Sequence, residues 1–231
     1  MKSQRKFATE HLRFAILAVD IALMTVRDGA LMIRLTPVNR PPHFPNSKGL
    51  PGGLIEPSET AEEAALRLIR DRATICSKHI YFEQLYTFSE LNRDPRGRVV
   101  AVAYLAVLPW EDLAKEDQED TNKGWWVTIP EATKLAYDHD LITAVAVQRL
   151  RSRARYTTIL RHLMPTEFTL SELETVYESI LKTDLDKRNF RKKLLKLKAV
   201  IPLGRKKKHG AHRPAELYRF AGTKVEEIEI I

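Results

Sequence analysis

Residues 49 to 75, GLPGGLIEPSETAEEAALRLIRDRATI, hold the side chains of this 231-residue chain best suited to handling a diphosphate. Gly52 and Gly53 behind Pro51 keep the backbone thin and able to take positive φ, so amides can approach a phosphate closely. Arg67, Arg70 and Arg72 follow, three cations that could neutralise a pyrophosphate without a metal. Their alternative role is a solvated helix face. Glu56, Glu59 and Asp71 supply hard oxygen atoms that could make a weak divalent-cation site. Further on, Arg93, Arg96 and Arg98 lie in RDPRGR, which reads as a hairpin turn or a second set of phosphate contacts. Trp125 and Trp126 are candidates for stacking on a base or for filling the core.

A second constellation sits in the last third. In FTLSELETVYESI, Leu170, Leu173, Val176, Tyr177 and Ile180 recur at helical spacing, an apolar stripe with acidic residues opposite. KTDLD supplies a turn with Asp186 as cap, and KRNFRKKLLKLK a second helix with Phe190, Leu194 and Leu197 inward. That leaves Lys187, Arg188, Asn189, Arg191, Lys192 and Lys193 outside. A strand, a glycine-containing loop with Arg205, Lys206, Lys207 and Lys208, and a second strand come next. Helix, turn, basic helix and basic hairpin predict a winged helix-turn-helix. Arg and Asn on such a helix read guanine and adenine edges, while a basic wing neutralises phosphates. Few exposed aromatics are placed for base stacking, which argues against RNA.

These groups need elements to position them. FAILAVDIALMTVRDGALMIRLTPV reads as two strands joined at Asp28-Gly29, a favoured hairpin turn. The proline-rich stretch NRPPHFPNSKGLPGG reads as an irregular loop. Thr60 and Glu63 form a capping box for a helix expected to run to about Ala73. Strands are expected at YFEQLYTFSEL, RVVAVAYLAVLPW and WWVTIP, with an acidic surface loop before the last. DHDLITAVAVQRLRSRARY is a long helix near whose end the domain boundary falls.

Charge follows the same division. Residues 151–231 carry 19 Lys and Arg against 10 Asp and Glu, whereas residues 1–150 carry 19 against 20. A near-neutral body with a basic appendage suits a small-molecule domain joined to a polyanion-binding one, or a basic face kept for solubility. With 44% hydrophobic and 29% charged residues the composition is that of a soluble globular protein. One cysteine, Cys76, excludes an internal disulfide and a cysteine-rich zinc site and suits a reducing cytoplasm. The N-terminal apolar run is broken by Asp20, so it reads as a buried strand rather than a signal or membrane segment.

Gly53, Glu59, Arg67, Ile69 and Ile75 match the Nudix signature, so this stretch resembles that family. Leu68, Arg72 and Thr74 depart from it, and Asp71 is one methylene short of Glu. Positions 68, 71 and 72 lie at i, i+3 and i+4, where the resemblance implies magnesium-holding carboxylates. Leu68 offers no ligand, and Arg72 would repel a cation by roughly 4 kcal/mol per unit charge at about 4 Å and an effective dielectric near 20. LPGGLIEPSET, QLYTFSELNRDPRGRVVAVAYLAV, AYDHDLI, FTLSELETVYESIL, LDKRNFRKKLLKL and HRPAELYRF, in that order, resemble the Nudix-related transcriptional regulators of bacterial NAD metabolism, the NrtR family.

That resemblance implies an α+β chain: a Nudix-like α/β/α sandwich with a mixed sheet over residues 1–152, then a winged helix-turn-helix over residues 153–231. It further implies a cytoplasmic homodimeric repressor of NAD biosynthesis or salvage genes, bound to a palindromic double-stranded operator and to no membrane. ADP-ribose or a related NAD metabolite is the implied effector, with no cofactor required, no metal and no catalytic residues. The expected effector contacts are Gly52, Gly53, Glu56, Glu59, Arg67, Arg70, Arg72, Arg96 and Arg98. A magnesium-dependent hydrolase of ADP-ribose-like nucleoside diphosphates and a DNA-binding protein on an inert Nudix scaffold are the competing readings.

Overall fold

Alternation along the first strand decides how the N-terminal layers stack. In β1 (Ile16–Arg27), Val19, Ile21 and Leu23 enter one buried cluster and Ala22, Met24 and Val26 another, as the period of two requires. One face is covered by α1 (Ala61–Asp71) and the other by α3 (His139–Tyr156), giving the expected α/β/α sandwich. This is seen in a computed structural model that describes residues 14–76, 79–119, 122–207, 214–228 and 230.

β1 turns into β2 (Ala30–Arg40) through Asp28 and Gly29, with φ of 49° and 74°, the paired positive values of the anticipated tight hairpin. On its other side β1 runs parallel to β6 (Val99–Val107), which pairs antiparallel with β5 (Tyr81–Phe88). β4 (Gly52–Leu54) joins β1, and β7 (Trp125–Thr128) joins β2, completing a mixed sheet. The Thr60–Glu63 capping box forms, but α1 stops at Asp71, two residues short of expectation. The acidic loop is interrupted by a short helix, α2 (Lys115–Gln118).

The proline-rich stretch is not the irregular loop its composition suggests. β3 (Phe44–Gly49) pairs with β2 after a tight reversal at Pro41–His43. Proline is tolerated because β3 is an edge strand whose register shifts between Val38 and Arg40.

The second domain packs α4 (Leu170–Leu181) and α5 (Lys187–Lys196) beside a sheet of β8 (Phe168–Thr169), β10 (Ala215–Phe220) and β9 (Val200–Lys207). All five expected stripe residues of α4 are buried, and Asp186 caps α5 by accepting from the amides of Arg188 and Asn189. Three expectations are corrected here. Leu197 is 39% exposed because α5 ends at Lys196 and turns it outward. Glu174, expected among the solvent-facing acids, is 2% exposed because Arg191 covers it. Arg205, Lys206 and Lys207 lie within β9 rather than in a loop. Lys208 lies outside the described residues.

α3 continues unbroken across residues 152 and 153, so one helix serves both domains. A single hydrophobic cluster joins Met24, Leu31 and Ile142 to Leu173 and Tyr177. The β1–β2 turn abuts α4 closely: a Cβ at Gly29 would lie 2.9 Å from Thr175 Cγ2.

Candidate effector pocket and DNA-facing surface

A cavity of about 690 Å³ opens between β1, β2, β4, the end of α1 and the turn after β5. Its floor is built on Asp20, the residue that interrupts the apolar run of β1. Arg93 Nη2 donates to Asp20 Oδ2 at 2.9 Å and to Asp138 Oδ1 at 2.6 Å, while its Nε donates to Asp138 Oδ2 at 2.9 Å. His139 Nδ1 accepts from the Leu50 amide at 2.9 Å, so its proton sits on Nε2, 3.3 Å from Asp20 Oδ1. Burial pushes the Asp20 carboxyl up, but His139 and Arg93 together outweigh it and hold it below the usual range. Sequence reasoning missed this floor; its signals were an aspartate inside a buried strand and the Asp138-His139 pair at the start of α3.

The glycines are required here for space rather than for backbone conformation. Neither Gly52 nor Gly53 has positive φ. They are needed for space, because a Cβ at Gly52 would come within 2.4 Å of Asp20 Oδ1 and one at Gly53 within 2.8 Å of Leu68 Cδ2. Leu68 is 2% exposed and packs as core under β4, where the Nudix signature has a carboxylate.

Of the expected effector contacts, Gly52, Gly53, Glu56, Arg67, Arg72 and Arg96 line the cavity, whereas Glu59, Arg70 and Arg98 do not. Arg67 is engaged: its Nε and Nη2 donate to Glu59 at 2.9 and 2.5 Å, and Nη2 also donates to Leu54 O at 3.0 Å. Arg67, then the Glu56 amide, pull the Glu59 carboxyl down to about 2. Arg70 is exposed and pairs with Asp71 at 3.3 Å. Arg98 binds the carbonyls of Ser89 and Glu90. Arg96 forks onto Asp94 at 3.0 and 2.7 Å and lies over the Tyr137 ring. Arg72 caps α1 and faces the cavity, an exposed cation at the mouth. Trp125 and Trp126 do not line it; Trp126 is buried and donates to Asp117 O.

The magnesium site of a Nudix hydrolase does not fit this donor set. Leu68 is buried hydrocarbon, Asp71 is paired with Arg70, and Arg72 puts a cation in the cavity. Glu56, Glu59 and Asp71, the carboxylates expected to offer a weak site, do not form a cation-binding group among the described residues. Asp20, Asp138 and His139 do have ligand atoms within 4.8 Å of one another. Arg93 already lies among them and neutralises both carboxylates.

On the second domain, the expected DNA contacts divide into free and engaged groups. Arg191 donates to Glu174 at 2.5 and 2.9 Å and to Ser171 Oγ at 3.1 Å. Lys207 pairs with Glu172 at 2.8 Å, Arg205 with Glu167, and the Asn189 side chain with Asp186 at 2.7 Å. Lys187, Arg188, Lys192 and Lys206 remain exposed, with Lys193 half-buried beside them.

Residues 15–149 match the NUDIX domain and residues 160–220 the NrtR DNA-binding winged helix domain. Fold and site therefore define a Nudix domain carrying a C-terminal winged helix. An ADPR responsive transcriptional repressor, NtrR, from Acinetobacter baylyi is 34% identical over 212 residues, covering 89% of this chain and 82% of that protein. The chain belongs to the NrtR family of Nudix-related regulators. Shewanella oneidensis NrtR complexed with a 27mer DNA superposes with a TM-score of 0.78 at 29% identity, over 88% of this chain and 93% of that one. The NUDIX domain of Shewanella oneidensis NrtR complexed with ADP ribose matches at a TM-score of 0.53 and 27% identity, over 63% of this chain and 94% of that one.

Proposed function

We propose that this chain is a DNA-binding transcriptional repressor of NAD biosynthesis or salvage genes, whose Nudix pocket senses ADP-ribose or a related NAD metabolite and releases the operator when filled. The observation that carries the reading is the pocket's rewritten α1 face. Leu68 and Arg72 stand at signature positions for metal-holding carboxylates, while the cavity is still there and is edged by Arg40, Arg67, Arg72 and Arg96. A diphosphate can be neutralised by such arginines with no metal to activate water, so the ligand is bound and not cleaved. Similarity to an ADP-ribose-responsive repressor and to a DNA-bound and an ADP-ribose-bound NrtR supports the same reading.

In this account Gly52, Gly53, Glu56, Arg67, Arg72 and Arg96 meet the effector, with Glu59 holding Arg67 in place. Lys187, Arg188, Lys192, Lys193 and Lys206 meet operator DNA, and a homodimer in the cytoplasm reads a palindrome. The route between the sites is short. β1 and β2 wall the pocket at one end and touch Thr175 of α4 at their shared turn. By linkage, operator weakens effector binding by the factor with which effector weakens operator binding. Calorimetric titration of ADP-ribose into free and operator-bound protein is expected to give weaker binding to the complex. Equal affinity would contradict the proposal.

A further inference from the structure

Tyr137 lies in the cavity wall with a φ of 58°, left-handed backbone that aromatic residues seldom adopt. Strain of this kind persists where neighbours over-determine it, and it clusters at ligand sites. The neighbours here are identifiable. The Ala136 amide donates to Lys48 O at 2.8 Å, Asp138 is gripped by Arg93 at 2.6 and 2.9 Å, and His139 is fixed between Leu50 and Asp20. With the chain clamped on both sides, the Tyr137 ring stands half-buried in the wall, backed by Phe44 at 4.4 Å between centroids.

Tyr137 and His139 are the aromatic rings among the described lining residues, and His139 is committed to the floor. The Tyr137 ring therefore remains for a planar ligand group. The Arg96 guanidinium lies over that ring at 5.1 Å. Its side chain is 44% exposed while its partner Asp94 is 2% exposed, so the guanidinium has room to lift while its anchor stays fixed. Guanidinium planes and aromatic rings both stack on nucleobases.

We propose that Tyr137 is the platform for the purine base of a nucleoside diphosphate ligand, the base sliding between the phenol ring and the Arg96 guanidinium. The diphosphate then extends toward Arg72 and the thin backbone at Gly52 and Gly53, on the same cavity. This inference rests on the ADP-ribose reading above and assigns the end of the pocket that takes the base.

The test titrates 1,N6-etheno-ADP-ribose, whose emission falls when its base stacks, into wild-type, Tyr137→Phe, Tyr137→Trp and Tyr137→Leu proteins. Unlabelled ADP-ribose competition supplies Kd, and thermal melts check folding. Wild type, Phe and Trp are expected to quench the probe. The Leu variant should bind about 10-fold or more weakly and leave the bound probe unquenched at saturation. Quenching and affinity at wild-type level in Tyr137→Leu would overturn the platform and leave the ADP-ribose reading standing, as would their loss in properly melting Phe and Trp variants. No binding of either ligand to the wild type would remove both.

Discussion

Two arginine-bearing helices, α1 and α5, solve the same problem with different burial. Arg67 on α1 and Arg191 on α5 both look like ligand contacts in sequence, and both are forked onto a glutamate from another segment. On α1 both partners are partly enclosed, Arg67 22% and Glu59 12% exposed, and Glu59 keeps a second bond from the Glu56 amide. On α5 the carboxylate is the enclosed partner: Glu174 is 2% exposed and Arg191 44%. Arg191 is held in the scaffold while Arg67 lines the cavity from within its pair, and their neighbours, Arg72 on one helix and Arg188 and Lys192 on the other, are exposed. The difference decides what is stranded when a pair is broken.

The largest effect should come at α5. Arg191→Leu leaves Glu174 buried without a counter-charge and is expected to cost roughly 3 kcal/mol in urea denaturation. Glu59→Gln, where Arg67 is partly exposed and keeps its bond to the Leu54 carbonyl, should move the midpoint far less. Equal losses would break the comparison.

The domain seam gives the next effect. His162 stacks on Tyr81 at 4.8 Å, and burial, then Arg161, push it down to about 4. The unfolded imidazole takes up its proton near pH 6.5, so its contribution is full above that pH and is lost as pH falls from about 6.5 to 4. His162→Phe should remove that part of the decline in Tm and leave the rest of the profile in place.

The smallest effect lies at the end of α1. Thr74 has a φ of 60° at the position where the Nudix signature has glycine, a left-handed conformation that a β-branched residue adopts at a cost. Thr74→Gly should stabilise the protein by about 1 kcal/mol. A destabilised variant would mean that the threonine contributes more than strain.

Much of the architecture was legible because it follows from local rules. The Asp28-Gly29 hairpin, the Thr60–Glu63 and Asp186 caps and the α4 stripe depend on a few adjacent residues. The β3 edge strand was not, because proline content argues against strands in general while the edge position that excuses it is set by the whole sheet. The site was half legible. Arginine types and spacing pointed to α1 and α5, but which arginines are spent depends on glutamates 8 and 17 residues away. The floor of Asp20, Arg93, Asp138 and His139 joins segments as far apart as Asp20 and His139, a distance no window along the sequence spans.

The central claim is that the rewritten pocket senses its ligand without cleaving it. The direct test titrates ADP-ribose, with and without magnesium, into the protein bound to a fluorescent duplex that it has selected from a random pool. DNA release and ADP-ribose consumption are followed together. The account predicts release with ADP-ribose intact under both conditions. Magnesium-dependent consumption of ADP-ribose would contradict it, and would mean that a hydrolytic site survives despite Leu68 and Arg72.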